Sequence, residues 1–306
     1  MKQSIKIGTR ASELAMYQAE LVALMLNKKG ISTQIVKIDS EGDANLIQPI
    51  YKIGFSGVFT KSLDTALINH KIDIAVHSLK DVPTNLADGI KNLAVLKRAD
   101  SKDILVFKGS NIDFSKHLVI GTGSIRRKAQ WLNKYPSHKI EGLRGNVNTR
   151  LNKIQTNSHW KGAVFAKAGL KRINLLKGNF IDLDWMIPAP AQGAIVVSSR
   201  LNDNFDGLRK ILNHQQTEIC TTIERDFMNA IQAGCSSPVG AIATIKSDIV
   251  NFKGLIISLD GKEKVIIEKS TTIDKSEGFG LECAKEIKTK HQSLIDVIKA
   301  EIQELG

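Results

Sequence analysis

Ile72-Asp-Ile-Ala-Val-His-Ser-Leu-Lys-Asp-Val-Pro83 decides how this 306-residue chain is read. Ile72 to Val76 is apolar and β-branched with one interrupting carboxylate, the pattern of a largely buried strand in a parallel sheet. An amphipathic stretch, Phe59 to His70, precedes it and predicts a helix. The strand ends in a polar knot of His77, Ser78, Lys80 and Asp81, closed by Pro83, which cannot continue a ladder. In open α/β sheets the crevice beyond the carboxyl ends of the strands holds ligands, so Asp81 is the first candidate for a working group. An acid before Val82-Pro83 also suits a simple turn, and from this stretch alone the turn is the commoner reading.

The same grammar runs on both sides. Residues 4–10 alternate as a strand ending at Arg10, and a helix follows to about Lys28, with Leu14, Tyr17, Leu21, Leu24 and Met25 as its apolar stripe and Gly30 as its end. Gln34 to Asp39 is a second strand. Strand–helix alternation with crossovers predicts a parallel or mostly parallel sheet. A polar, glycine-bearing loop spans Glu41 to Gly57, long enough to be functional.

Charge is concentrated in one region. Lys116 to Lys177 holds 14 Lys and Arg against one acid, Glu141, a charge of +13, while the whole chain carries +12. That region is built to meet anions. Three strand-to-helix turns within it place basic residues where helices are expected to start: Arg126 and Arg127 after Gly121-Thr-Gly-Ser124, Arg150 after Arg144-Gly-Asn146, and Lys171 with Arg172 after Gly169. Cations at helix N-termini oppose the dipole by about 0.3–1 kcal/mol each, so the repetition argues for an anion site made of backbone N–H groups and guanidinium forks. Nucleic acid is the obvious polyanion, yet stacking aromatics are scarce and no nucleic-acid motif is visible.

Pro188-Ala-Pro-Ala-Gln-Gly193 makes a rigid approach to a buried strand, Ala194 to Ser198, which can return the chain to the first sheet as a hinge. Helices are expected over Phe205–Asn213 and Thr217–Gln232. From Pro238 three strands, Val239–Ile245, Ile249–Leu259 and Val265–Ile273, are joined by short polar turns and closed by a helix from about Ser276, the outline of a small α+β domain. Cys235 stands at its entrance. Cys220, Cys235 and Cys283 match neither a disulfide framework nor a zinc site, so a reducing compartment is expected. No apolar run reaches the ~18 residues needed to span a bilayer, and the opening residues lack a signal peptide's apolar core.

Several of these stretches together resemble the porphobilinogen deaminase (hydroxymethylbilane synthase) family over nearly the whole chain. They are Ile7-Gly-Thr-Arg10, Asp73 to Pro83, Gly121-Thr-Gly-Ser-Ile-Arg-Arg127, Leu143-Arg-Gly-Asn-Val-Asn-Thr-Arg150, Ala168-Gly-Leu-Lys-Arg172, Pro188 to Gly193 and Gly234-Cys235. The resemblance implies an α/β chain with two domains like the halves of a type II periplasmic binding protein and a cleft between them, plus a small α+β C-terminal domain. The divisions implied are 1–99 with 194–215, carrying Asp81; 100–193, the basic cofactor- and substrate-binding domain; and 216–306, carrying Cys235.

The resemblance implies a transferase that joins four porphobilinogen molecules head to tail onto a covalently bound dipyrromethane cofactor. Ammonia is released at each step, and the linear tetrapyrrole hydroxymethylbilane is finally freed by hydrolysis. Cys235 matches the thioether attachment position, and Asp81 the catalytic carboxylate, which can oppose the cation left by ammonia loss and assist proton transfer. Arg126, Arg127, Arg144, Arg150 and Arg172 match residues that bind acetate and propionate side chains, with Arg10, Ser12, Lys80, Thr122, Ser124 and Gln192 nearby. No metal, nucleic acid or membrane partner is implied, and the chain is expected to be a cytoplasmic monomer. Departures from the family pattern fall at Ser56 (commonly lysine), Gly123 (serine), Glu141 (a basic residue), Ala191 (glycine) and Gln232-Ala233 (Glu-Gly), and are expected to tune binding or loop motion. A two-domain anion clamp without chemistry is the rival reading, and it has no use for Cys235.

Overall fold

The computed structural model describes residues 4–39, 60–231 and 237–305. The Glu41 to Gly57 stretch with Ser56, and the Gln232–Cys235 run, therefore lie outside the described residues.

The first sheet is built from β1 (Ile5–Thr9), β2 (Thr33–Lys37), β3 (Ile74–Ser78), β4 (Ile90–Val95) and β10 (Ile195–Arg200), in the order β2-β1-β3-β10-β4. The second comprises β5 (Asp103–Phe107), β6 (Val119–Gly121), β7 (Lys139–Glu141), β8 (Gly162–Ala166) and β9 (Phe180–Asp182), in the order β7-β6-β8-β5-β9. The two orders are the same pattern. In each, one strand runs antiparallel to its neighbours: β10 against β3 and β4, and β5 against β8 and β9. Each antiparallel strand adjoins a crossing of the chain between the sheets, so the halves are joined by two crossings. Both sheets are therefore mixed, and the return of the chain to the first sheet after Gly193 is present. β4 and β9 are strands that the periodicity did not announce. β3 itself starts two residues later than the apolar run suggests, so His77 and Ser78 belong to the strand.

Helices α1 (Glu13–Asn27) and α2 (Lys61–Ile68) cover the first sheet. The packed face of α1 is Ala15, Ala19, Val22 and Leu26, whereas Leu24 of the expected stripe is 50% exposed. Leu21 and Met25 of that stripe pack at the edge of the core, and small residues let the helix approach the sheet closely between them and Leu26. Gly30, at φ +76°, follows the helix in the left-handed conformation that glycine favours.

In the second half, α3 (Ile125–Lys134) and α4 (Val147–Thr156) start as the sequence suggests, with Ser124 and Asn146 as N-caps. The next helix, α5 (Lys167–Arg172), corrects the expectation. It begins directly after β8, before Gly169, so Lys171 and Arg172 sit in its last turn, where the dipole favours cations.

After α6 (Asp206–Leu212) and α7 (Gln215–Ala230), β11 (Val239–Lys246), β12 (Ile249–Ile257) and β13 (Lys264–Thr272) form an antiparallel meander. α7 and α8 (Phe279–Leu305) pack on it through a core that includes Phe227, Phe252 and Phe279. Among the described residues, no helix is long and apolar enough to cross a membrane.

Candidate active site

A cleft of about 360 Å³ lies between the two halves and is also lined by Met228, Ser237 and Val239 from the C-terminal unit. Eleven of the residues singled out in the sequence line it: Arg10, Ser12, Lys80, Asp81, Ser124, Arg126, Arg127, Arg144, Arg150, Arg172 and Gln192. Thr122 does not line it. Its Oγ1 instead accepts a hydrogen bond from the Ser124 N–H at 3.3 Å and shapes the turn from behind. Cys235 lies outside the described residues.

Asp81 ends a single 3₁₀ turn, Leu79–Asp81, that leaves β3. Leu79 is buried against Val82, Val95, Ala191, Ala194 and Val196, and its N–H donates to the Ala194 carbonyl at 3.0 Å. The apolar member of the turn is thus pinned, and the exposed Asp81 faces the cleft. Lys80 beside it donates to Gln192 Oε1 at 3.3 Å. Burial is the largest influence on Lys80 and lowers its pKa to about 8, with Asp81 opposing that shift.

Arg126 and Arg127 are not the free forks that the sequence suggested. Both are buried, and both are held by Asp103, at 2.8 Å from Arg126 Nη2 and 2.7 Å from Arg127 Nη2. Arg126 also donates to the Ile187 carbonyl and Arg127 to that of Val164. Asp103 accepts from Gln192 Nε2 at 2.9 Å as well. Burial alone would raise the Asp103 pKa, but Arg126 and Arg127, with help from Gln192 and Lys80, outweigh it and hold the carboxyl at about 2. Asp103 opens an otherwise apolar strand, and that acid at a strand start was the available signal for it.

The remaining arginines are less neutralised. Arg150 Nε donates to the Gly145 carbonyl at 2.7 Å, and Arg172 Nη2 to that of Gly193 at 2.8 Å. Desolvation lowers the pKa of Arg144 and Arg172, and brings Arg150 to about 10 with repulsion from Arg127 added. Arg144 Nε is buried without a hydrogen-bond partner. Among the described residues, seven cationic side chains line the cleft against two carboxylates, Glu13 and Asp81. Such a site favours a ligand bearing several anionic groups.

Two family model regions match this chain: "Porphobilinogen deaminase, dipyromethane cofactor binding domain" over residues 5–205, and "Porphobilinogen deaminase, C-terminal domain" over 218–289. The chain belongs to the porphobilinogen deaminase family. Relatives include the porphobilinogen deaminase of Clostridioides difficile, 38% identical over 298 residues, covering 95% of this chain and 99% of its own. The probable porphobilinogen deaminase of Methanocaldococcus jannaschii is 40% identical over 278 residues, covering 89% and 94%. That of Chloroherpeton thalassium is 34% identical over 295 residues, covering 93% and 94%. The protein is a transferase of tetrapyrrole biosynthesis with porphobilinogen deaminase activity and a dipyrromethane cofactor.

Three departures from the porphobilinogen deaminase pattern have local explanations. A Cβ on Gly123 would lie 2.6 Å from the Leu143 carbonyl oxygen, so this backbone has no room for the usual serine. Glu141 accepts from Trp160 Nε1 at 2.5 Å and pairs with Lys139 at 3.0 Å. Its carboxylate is thereby engaged by two groups that do not line the cleft. Ala191 stands at φ +61°, a left-handed position that suits the family's glycine, and its N–H is held by Glu224 Oε2 at 2.6 Å.

Proposed function

We propose that Asp81 is the catalytic carboxylate of this porphobilinogen deaminase, that Cys235 carries dipyrromethane through a thioether, and that the cleft arginines hold the acetate and propionate side chains. The observation that carries this reading is the exposed Asp81 carboxylate, which ends the turn leaving β3 and faces a cleft whose described lining sets seven cationic side chains against Asp81 and Glu13. The residues fit the cofactor: its acidic side chains match the cationic lining, and Arg144 Nε is a buried donor without a partner.

When bound, the cofactor supplies the nucleophilic pyrrole carbon to which substrate rings are added. Arg144, Arg150 and Arg172 orient carboxylates through guanidinium forks. Arg126 and Arg127 add positive charge at a position held by Asp103. Asp81 would accept a hydrogen bond from a pyrrole N–H, oppose the positive charge that develops as ammonia leaves, and take up the proton lost from the pyrrole carbon at which the new bond forms. The divisions 1–99 with 194–215, 100–193 and 216–306 follow sheet membership, and the cytoplasmic monomer rests on the family resemblance.

The test combines intact mass with turnover. The parent should carry an adduct of two pyrrole units that Cys235→Ala lacks. Asp81→Asn should retain that adduct and lose most turnover. Near-normal turnover in Asp81→Asn would sink the catalytic assignment. A protein that stays bare after porphobilinogen is added would favour an anion clamp.

A further inference from the structure

α7 precedes Cys235 in the chain, and one face of it is committed to the turn that bears Asp81. Arg225 is 9% exposed. Its Nη1 donates to the carbonyls of Leu79 at 3.2 Å and Val82 at 2.8 Å, and its Nη2 to that of Pro83 at 2.6 Å. The three acceptors bracket Asp81, one before it and two after. One helical turn further on, Asn229 Oδ1 accepts from Thr84 Oγ1 at 3.0 Å. Residues four apart share a helix face, so positions 225 and 229 grip consecutive parts of one loop. Between them, Met228 reaches the cleft, whereas Arg225 is not among the cleft-lining residues.

The grip requires a guanidinium. Three carbonyl oxygens in a fixed arrangement suit a rigid planar fork, and a single ammonium on a flexible stem does not reproduce it. Docking of the helix does not depend on Arg225 alone. Its neighbour Glu224, fully buried, pairs with Arg98 at 2.5 Å and accepts from the N–H groups of Ala191 and Ala243.

We propose that Arg225 is a positioning residue for pyrrole addition: it holds the Asp81 turn at a set distance from α7, the helix that precedes Cys235 in the chain. This rests on the reading of Asp81 as the catalytic carboxylate. Misplacing a reacting group by about 1 Å costs as much as 10²-fold in rate, so the effect should appear in kcat.

The experiment compares Arg225→Gln, Arg225→Lys, Asp81→Asn and the double variant Asp81→Asn with Arg225→Gln, each as cofactor-loaded protein checked by intact mass. Arg225→Gln should keep its cofactor, hold KM within about twofold, and lose between about tenfold and a hundredfold in kcat. Arg225→Lys should recover part of that loss and serves as the probe if the glutamine variant does not fold. In the Asp81→Asn background, Arg225→Gln should produce no further loss in the rate of single pyrrole additions.

An unchanged kcat in Arg225→Gln beside an inactive Asp81→Asn would overturn the inference alone. So would a loss that multiplies with that of Asp81→Asn, or one that merely tracks missing cofactor. A slow Arg225→Gln beside a normal Asp81→Asn would instead overturn the reading of Asp81, and the inference with it.

Discussion

Asp103 Oδ1 lies 2.7 Å from Arg127 Nη2, with both side chains buried and a second guanidinium, Arg126, on the other carboxylate oxygen. One carboxylate therefore holds two of the seven cations of the cleft. The pair is set by β5, the strand that follows the first crossing between the sheets, so the anion site depends on the chain having crossed correctly.

Asp103→Asn leaves two buried guanidinium groups without their counter-charge. Breaking a buried pair by removing one partner costs about 3–5 kcal/mol, and this variant should lose stability on that scale. A urea titration at neutral pH measures it. Because the Asp103 pKa is depressed in the fold to about 2, its contribution is present above the ordinary carboxyl value and is lost as pH falls through about 2. The gap between parent and variant should narrow in that acid range.

Lys80 predicts a second pH dependence, in the alkaline range. Its folded pKa, lowered to about 8 chiefly by burial, means that the cation is present below pH 8 and fades above it. For stability the depressed value is a cost below pH 8, which is relieved as pH rises from 8 toward the unfolded value. For anion capture the effect is a loss: kcat/KM should fall as pH rises through about 8. Lys80→Arg keeps its charge there, so its profile should lack that limb, with the substrate's own titration common to both. Superimposable profiles would count against a binding role for Lys80.

Gly193 stands at φ +88° at the start of the return to the first sheet, and an added Cβ would meet the carbonyl oxygens of Ala99 and Asp100 at 2.8 and 2.9 Å. Its own carbonyl accepts from Arg172. Gly193→Ala should therefore destabilise by about 1–3 kcal/mol and also displace an anion-site arginine, raising KM. Thermal unfolding and steady-state kinetics together check both.

Glu13 is an exposed carboxylate in a cleft that otherwise collects cations, and it accepts a hydrogen bond of 2.7 Å from Asn148 Nδ2 across the two halves. Glu13→Gln retains an acceptor and removes the charge. KM should fall by about two- to fivefold at low salt, and the gain should shrink as added salt screens it. A KM that does not change at low salt would show that Glu13 does not oppose the substrate's charge.

Much of the fold was legible in local pattern. The starts of α3 and α4 were legible through Ser124 and Asn146, which act as caps. β4 and β9 were missed, and α5 was placed too late because Gly169 looked like a boundary although it lies inside the helix. The apolar stripe of α1 was only partly right, since Leu21 and Met25 pack on the core while Tyr17 and Leu24 are exposed: side-chain size is visible in the chain, whereas which face meets the sheet is not.

The cleft residues were found because their motifs are contiguous. Asp103, Glu224 and Arg225 were not, because each acts through partners far away in sequence: Asp103 on Arg126 and Arg127, Glu224 on Arg98, and Arg225 on the carbonyls around Asp81. The sequence by itself determined the family, the concentration of positive charge, and the identities of Asp81 and Cys235 as candidates, since composition and short motifs are local properties. Only the tertiary structure decided which arginines are already neutralised, that Thr122 stands behind the cleft, and that α7 grips the Asp81 turn. Those are facts about pairing and burial between distant segments, which arise only when two chain crossings bring the sheets and the C-terminal unit together.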